Sequence, residues 1–255
     1  MEEKILQGKK NGMLVLVITT LLYIAAGIGL VFGILADSIV LLVVTIVWLA
    51  IGWIPWLGLK VLKPQEALVL TLFGKYYGTL KDDGFYFVNP FCVGVNPAAQ
   101  TKLNQSGDVN SHKKSAFNLT LGSGADAAAQ SSEMTSKKIS MKIMTLNNNK
   151  QKINDCLGNP VEIGIAVMWR VTNTAKAVFN VDNYKEYLSL QCDSALRNIV
   201  RIYPYDVAPG VDTTGDGIAD EGSLRGSSEV VAQRIKNEIQ SKVSEAGLEI
   251  IEARI

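Results

Sequence analysis

Histidine is nearly absent: His112 is the only one in 255 residues. Most zinc sites draw on several imidazoles and a Ser–His–Asp triad needs a placed one, so both chemistries lack their usual residue. Cysteine is sparse too. Cys92, Cys156 and Cys192 are odd in number and share no metal-ligand or redox spacing, and they read as ordinary reduced thiols of a cytosolic domain. Neither charge is in excess, with 25 Lys and Arg against 24 Asp and Glu, whereas a general nucleic-acid binder carries a basic surplus. No Walker loop, Ser nucleophile elbow or His-Glu metal helix occurs. The expected set of catalytic, cofactor-binding and metal-ligating residues is therefore none, with no cofactor and no nucleic-acid partner.

A further absence is local. Residues 13–35 hold no charged side chain, and neither do residues 38–59; Ala36 and Asp37 separate them. At about 1.5 Å per helical residue, each half covers roughly 30 Å, the thickness of a bilayer's hydrocarbon core. Residues 13–60 therefore read as a membrane hairpin, either two spans or a re-entrant loop. Lys4, Lys9 and Lys10 precede it, Lys60 and Lys63 follow it, and only Asp37 lies at the connection. Lysine is retained on the cytoplasmic side, so both ends are expected there, at the cell membrane. Trp48, Trp53 and Trp56 suit the headgroup level, and Pro55 is expected to kink or end the returning helix. The first half is too long for a signal-peptide core and shows no small-x-small cleavage site before Asp37.

Around the hairpin, residues 1–12 form a short cytoplasmic lead, expected to be loose. Residues 61–255 leave room for one domain. Three strands are expected at 66–73, 75–80 and 85–88, with Asp82-Asp83-Gly84 turning before the third. Residues 138–146 alternate as a strand with Ile139, Met141, Ile143 and Thr145 on one face, and 151–156 pairs back on it. Residues 161–171 are the strongest strand, apolar at every odd position. Thr174 caps a helix to Phe179. Longer helices follow at 183–202 and from Ser227 or Ser228, the latter lined by Val231, Ile235, Ile239, Val243 and Ala246. Gly247 ends that helix, and a last strand runs over 248–255. Strands in one block and helices in the next give an α+β domain with an antiparallel sheet.

Two loops depart from this pattern. Residues 96–136 are rich in Ala, Ser, Gly, Asn and Gln and read as a flexible insertion, in which 117–121 could add an edge strand and His112 is a surface residue. Residues 212–221 resemble a calcium loop at Asp212, Asp216 and Gly217, but the twelfth place is Ser223 instead of a bidentate Glu, so a solvated acidic loop is the reading. Arg197 could act in catalysis or pair with a carboxylate to hold its helix; no nucleophile or base accompanies it, so the pairing is expected. Cys156 and Cys192 are expected to pack as small apolar residues.

Several motifs, taken in order, resemble the SPFH or band 7 family, which includes stomatin, prohibitin and flotillin. They are Lys63-Pro64-Gln65-Glu66, Phe73-Gly74-Lys75-Tyr76 and the run from Gly84-Phe85-Tyr86-Phe87 to Pro90-Phe91. Further along come the strand and helix of 158–171 and 183–200, with Ala195-Leu196-Arg197, and then Ala246-Gly247-Leu248-Glu249-Ile250. The 96–136 insertion is longer than that family's usual connection. Members generally continue past the last strand into a long helical segment that drives oligomerisation, and this sequence stops at Ile255. The resemblance implies a non-enzymatic scaffold that self-associates into homo-oligomers and gathers lipids and membrane proteins into microdomains. The alternative it leaves open is a regulatory subunit of a membrane-bound protease.

Overall fold

The computed structural model describes residues 2–6, 10–101, 136–206 and 223–255. Along the chain run α1 (Gly12–Leu35), α2 (Ile39–Ile51), α3 (Ile54–Leu57), β1 (Leu59–Leu62), β2 (Glu66–Leu72), β3 (Lys75–Leu80), β4 (Gly84–Phe87) and β5 (Cys92–Gly94). Then come β6 (Ile139–Ser140), β7 (Met144–Asn147), β8 (Gln151–Asn154), β9 (Pro160–Ile163), β10 (Ala166–Val171), α4 (Thr174–Phe179), α5 (Tyr184–Val200), α6 (Ser228–Val243) and β11 (Leu248–Arg254). Every pairing between these strands is antiparallel, and helices pack with them, so the expected α+β class holds. The chain divides into two compact units. One comprises Met1–Asn96, Lys137–Lys142 and Asn173–Asn180; the other comprises Pro97–Ser136, Ile143–Thr172 and Val181–Ile255.

In the first unit, β2 lies between β3 and β5 and also takes β6, while β1 and β4 form a separate ribbon. The run from Ala67 to Thr71 is buried at every position, as expected of a strand covered on both faces. Leu62, Leu68, Leu70, Leu80, Tyr86 and Cys92 close the core. The Tyr86 hydroxyl donates to the carbonyls of Asp82 and Asp83 at 3.2 and 3.3 Å, which fixes the turn before β4. The N-terminal lead departs from the sequence reading at residues 2–6. Instead of hanging loose, it lies along β3, with Leu6 N–H donating to Thr79 and Thr79 N–H donating to Lys4, both at 2.9 Å. Glu3 explains the docking. Its carboxylate is 10% exposed, pairs with Lys81 at 2.6 Å, and accepts from the backbone N–H and hydroxyl of Thr174 at the start of α4. A carboxylate meets both a cation and a helix N-terminus there. The cap of α4 is Asn173, one residue earlier than expected, whose side chain accepts from Lys176 N–H.

The second unit carries the sheet β11-β10-β7 and the ribbon β8-β9. Its core matches the odd-position pattern: Ile165, Val167, Trp169 and Val171 are buried, with Trp169 edge-on to Tyr184 of α5. Val231, Ile235, Ile239 and Val243 of α6 are fully buried, as is Ala246 just beyond. Gly247 takes a left-handed φ of 68°, which lets the chain reverse into β11. Asn183 caps α5, accepting from Lys185 and Glu186 N–H.

Three strand expectations need correcting. The 138–146 strand is two strands: β6 pairs with β2, whereas β7 pairs with β10. The irregular residues between them shift the face, so Met144 and Leu146 are buried and Ile143 is 58% exposed; a one-residue slip exchanges the two faces of a strand. The 151–156 segment pairs with β9, not with β7. The Asp155 carboxylate organises that turn by accepting Leu157 N–H, Asn159 N–H and the Asn159 amide. The 161–171 strand breaks at Gly164 and Ile165 into β9 and β10. The proposed edge strand at 117–121, His112 and the acidic loop at 212–221 lie outside the described residues, as does the 96–136 insertion from residue 102 to 135.

Candidate functional site

The feature that stands apart is the pair α1 and α2. Their turn is built from backbone hydrogen bonds. Ser38 N–H reaches back to Gly33 C=O at 3.1 Å and Asp37 N–H to Ile34 C=O at 3.4 Å. This double closure needs a left-handed residue after the helix, and Asp37 supplies it at φ 52°. Glycine is the usual occupant, but Asp tolerates the left-handed region better than most residues. The turn is thus as tight as the sequence implied.

α1 has 24 residues and spans about 36 Å. The returning stretch Ile39–Leu57 has 19 residues and spans about 28 Å. Pro55 neither kinks nor ends α2. That helix stops earlier, at Ile51, with Gly52 as its cap, and Pro55 sits in the opening turn of α3, where a missing N–H costs nothing.

The packing of the pair rests on small residues. The buried positions of α1 are Gly12, Thr19, Ala26 and Gly33, spaced by seven. A Cβ on Gly33 would lie 3.1 Å from Leu42, so glycine lets α2 come close. Hydroxyls do not interrupt the apolar surface. Thr19 and Thr45 donate to carbonyls one turn back at 2.8 and 2.9 Å, and Thr20 does the same; a polar group in hydrocarbon must be satisfied inside the protein. Near the open end, Trp56 Nε1 donates to Thr19 Oγ1 and the Tyr23 hydroxyl to Leu49 C=O, each at 2.8 Å. The seven-residue stripe was present in the sequence, but a search for charge-free length passes over it.

Outward, the pair is apolar on all sides. In each candidate span only 11% of the most apolar window is buried, whereas a core helix of a soluble domain is mostly covered. Ile24, Phe32, Leu35, Ile39 and Val40 are each more than 60% exposed, an apolar surface larger than soluble monomers leave open to water. Both ends return to the β1–β4 ribbon. The start of α1 abuts Phe85 of β4, and Gly58 C=O after α3 accepts Val88 N–H at 2.9 Å. These facts make two adjacent helices, long and apolar enough to cross a membrane, that enter and leave at the same ribbon.

The family model of the SPFH domain, or Band 7 family, matches residues 60–255, beginning just past α3. The chain belongs to the SPFH family. No curated protein matches it. SPFH proteins are generally membrane-associated, non-enzymatic scaffolds, and here the apolar pair directly precedes the SPFH domain.

Within the SPFH domain, Arg197, Cys192 and Cys156 take different places. Arg197 donates through Nε to Gln151 on β8 at 2.8 Å, an amide instead of the expected carboxylate. It lines an open groove of about 400 Å³ on α5 with Leu190, Asp193, Ser194, Asn198 and Arg201. Cys192 is fully buried, and burial, with a smaller contribution from Asp193, pushes its thiol up to about 12. Cys156, expected to pack inside, lies exposed beyond β8 because the Asp155 turn projects it outward. Among the described residues, no three His, Cys, Asp or Glu side chains converge as a metal set would.

Proposed function

We propose that this SPFH chain is a non-enzymatic membrane scaffold: α1 and α2 anchor it in the bilayer, and copies associate with one another to gather lipids and membrane proteins. The observation that carries the reading is the uncovered apolar pair, whose buried residues are small and whose large side chains face outward. The flanking lysines support a cytoplasmic placement at the cell membrane, since Lys4 and Lys10 precede the pair in sequence, Lys60 and Lys63 follow it, and Asp37 lies at its turn. Self-association turns many weak hairpin–lipid preferences into one collective preference, because tethered copies bind at high effective concentration. The associated proteins on this reading include membrane proteases.

The test has two parts. After alkaline carbonate washing of membranes the full chain stays in the pellet; release into the supernatant would end the anchoring claim. In detergent, negative-stain imaging and size measurement show rings or clusters. A uniform monomer in every detergent, together with one dominant crosslinked partner in membranes, would replace the scaffold by a dedicated subunit of another complex.

A further inference from the structure

We infer that Phe73 and Phe91 form a second contact with the lipid surface, a peripheral aromatic wedge beside the hairpin that favours anionic headgroups. The inference rests on the reading that α1 and α2 lie in a bilayer. Phe73 occupies the two-residue turn between β2 and β3 and is 84% exposed; Phe91 precedes β5 and is 59% exposed. Their rings stack with centroids 6.2 Å apart. Val93, two residues on and on the same face of β5, is also exposed. Phe73 holds a left-handed φ of 49° and Gly74 one of 82°. A turn with two left-handed residues favours Asn or Gly at its first place. A phenylalanine there gains nothing from the core and projects its ring outward.

The register places this pair at the hairpin's exit. β1 leads away from Gly58, and Glu66 N–H donates to Lys63 C=O where the chain reverses, so β2 returns toward the exit and ends at Phe73. Val88, bonded to Gly58, stands three residues before Phe91, and Cys92 N–H closes that turn on Asn89. The same strand ends carry cations without carboxylates. Lys75 follows Gly74, and the charge of Lys60 reaches Cys92, next to Phe91. No Asp or Glu occurs within 57–62, 67–77 or 85–94; Glu66, Asp82 and Asp83 sit at the opposite strand ends, where Asp83 lies 3.8 Å from Lys10, just before α1. Exposed aromatic rings flanked by lysines suit the headgroup region, where the rings enter the interface and the ammonium groups meet lipid phosphates.

The test uses the full chain reconstituted into vesicles of phosphatidylcholine alone or mixed with phosphatidylserine, with a benzophenone amino acid replacing Phe73 or, separately, Leu22 on the hairpin. On irradiation, both positions are expected to yield lipid adducts. The adduct at 73 increases with phosphatidylserine and is lost with Phe91→Asp, while the adduct at 22 responds to neither. A lipid adduct at 22 with none at 73 overturns the wedge and leaves the anchor intact, and so does a protein–protein adduct at 73. Absence of lipid at 22 overturns the anchoring reading itself. Indifference of the 73 adduct to phosphatidylserine overturns the anionic preference.

Discussion

Two helix pairs of this chain solve opposite packing problems. α5 and α6 bury large side chains: Leu188, Leu196, Ile235 and Ile239 are fully enclosed, and polar residues such as Glu229, Asn237 and Lys242 occupy the other face. α1 and α2 invert that arrangement, burying Gly12, Thr19, Ala26, Gly33 and Thr45 while leucines, isoleucines and valines point outward. In water the gain comes from removing apolar area, so the largest side chains go inside. Between helices already in hydrocarbon that gain vanishes, and close approach through small residues takes over. The inversion is what the proposed bilayer placement of α1 and α2 requires, large side chains outward against lipid and small ones between the helices.

The sharpest way to break the comparison is a matched pair of truncations. Ile235→Ala, in the closed interior of α6, is expected to lower stability by about 2–5 kcal/mol in denaturant unfolding of the full chain in detergent. Leu22→Ala, 44% exposed on α1, is expected to cost well under about 1 kcal/mol in the same assay, because the side chain faces lipid or detergent in both variants. Equal losses at the two sites would mean that something covers the hairpin as a protein core does. Next in size is Gly33→Leu. Its added side chain meets Leu42 and prises the pair apart at a cost of about 1–3 kcal/mol, read as a lower melting temperature in detergent. Gly27→Ala is the control and should be tolerated, since a Cβ at Gly27 meets nothing within 4 Å.

Much of this was legible beforehand, and what was not has identifiable causes. The hairpin announced itself by length without charge, the one pattern that local propensity cannot mimic. The inner face of α6 could be read residue by residue because a 3.6-residue period averages over four turns. Strands carry less information. The alternation of 138–146 continues through a break, since neither Met141 nor Ile143 signals that β6 and β7 join different sheets. The partner of β8 depended on Asp155, whose hydrogen bonds to the backbone form only once the chain turns. The docking of residues 2–6 was invisible because Glu3 finds Lys81 and Thr174 far along the chain. At the candidate site, the seven-residue stripe and the Phe73–Phe91 pair were written in the sequence, but their meaning required knowing which face is covered.

The smallest expected effect separates the pairs by charge. Inside α1 and α2 no ion pair contributes, so acid should leave their packing unchanged. The sheet beside them differs, for Glu66 on β2 accepts from Lys138 Nζ at 3.0 Å and from Lys63 N–H at 3.2 Å. Burial acts to raise the Glu66 carboxyl, but the Lys138 and Lys63 hydrogen bonds, with the charges of both lysines, outweigh it and hold it below its ordinary value of 4.5. A carboxyl lowered in the folded state adds stability above its unfolded value, and that stability is lost as pH falls through the lower folded value. The contribution should thus be complete near neutral pH and fade below about pH 4.5. Both side chains are about one-quarter to one-third exposed, so solvent screening limits the amount to about 1 kcal/mol or less. Hydrogen exchange at Ile139 and Ser140 of β6 is the local readout. Corrected for the intrinsic exchange rate, which itself falls with pH, protection there should weaken on acidification in the parent chain and be weak already at neutral pH in Glu66→Gln, while protection of α1 and α2 should respond to neither. A matching acid response within the hairpin would show that the two helices depend on the sheet for their packing, and the contrast drawn from their inverted interiors would fail.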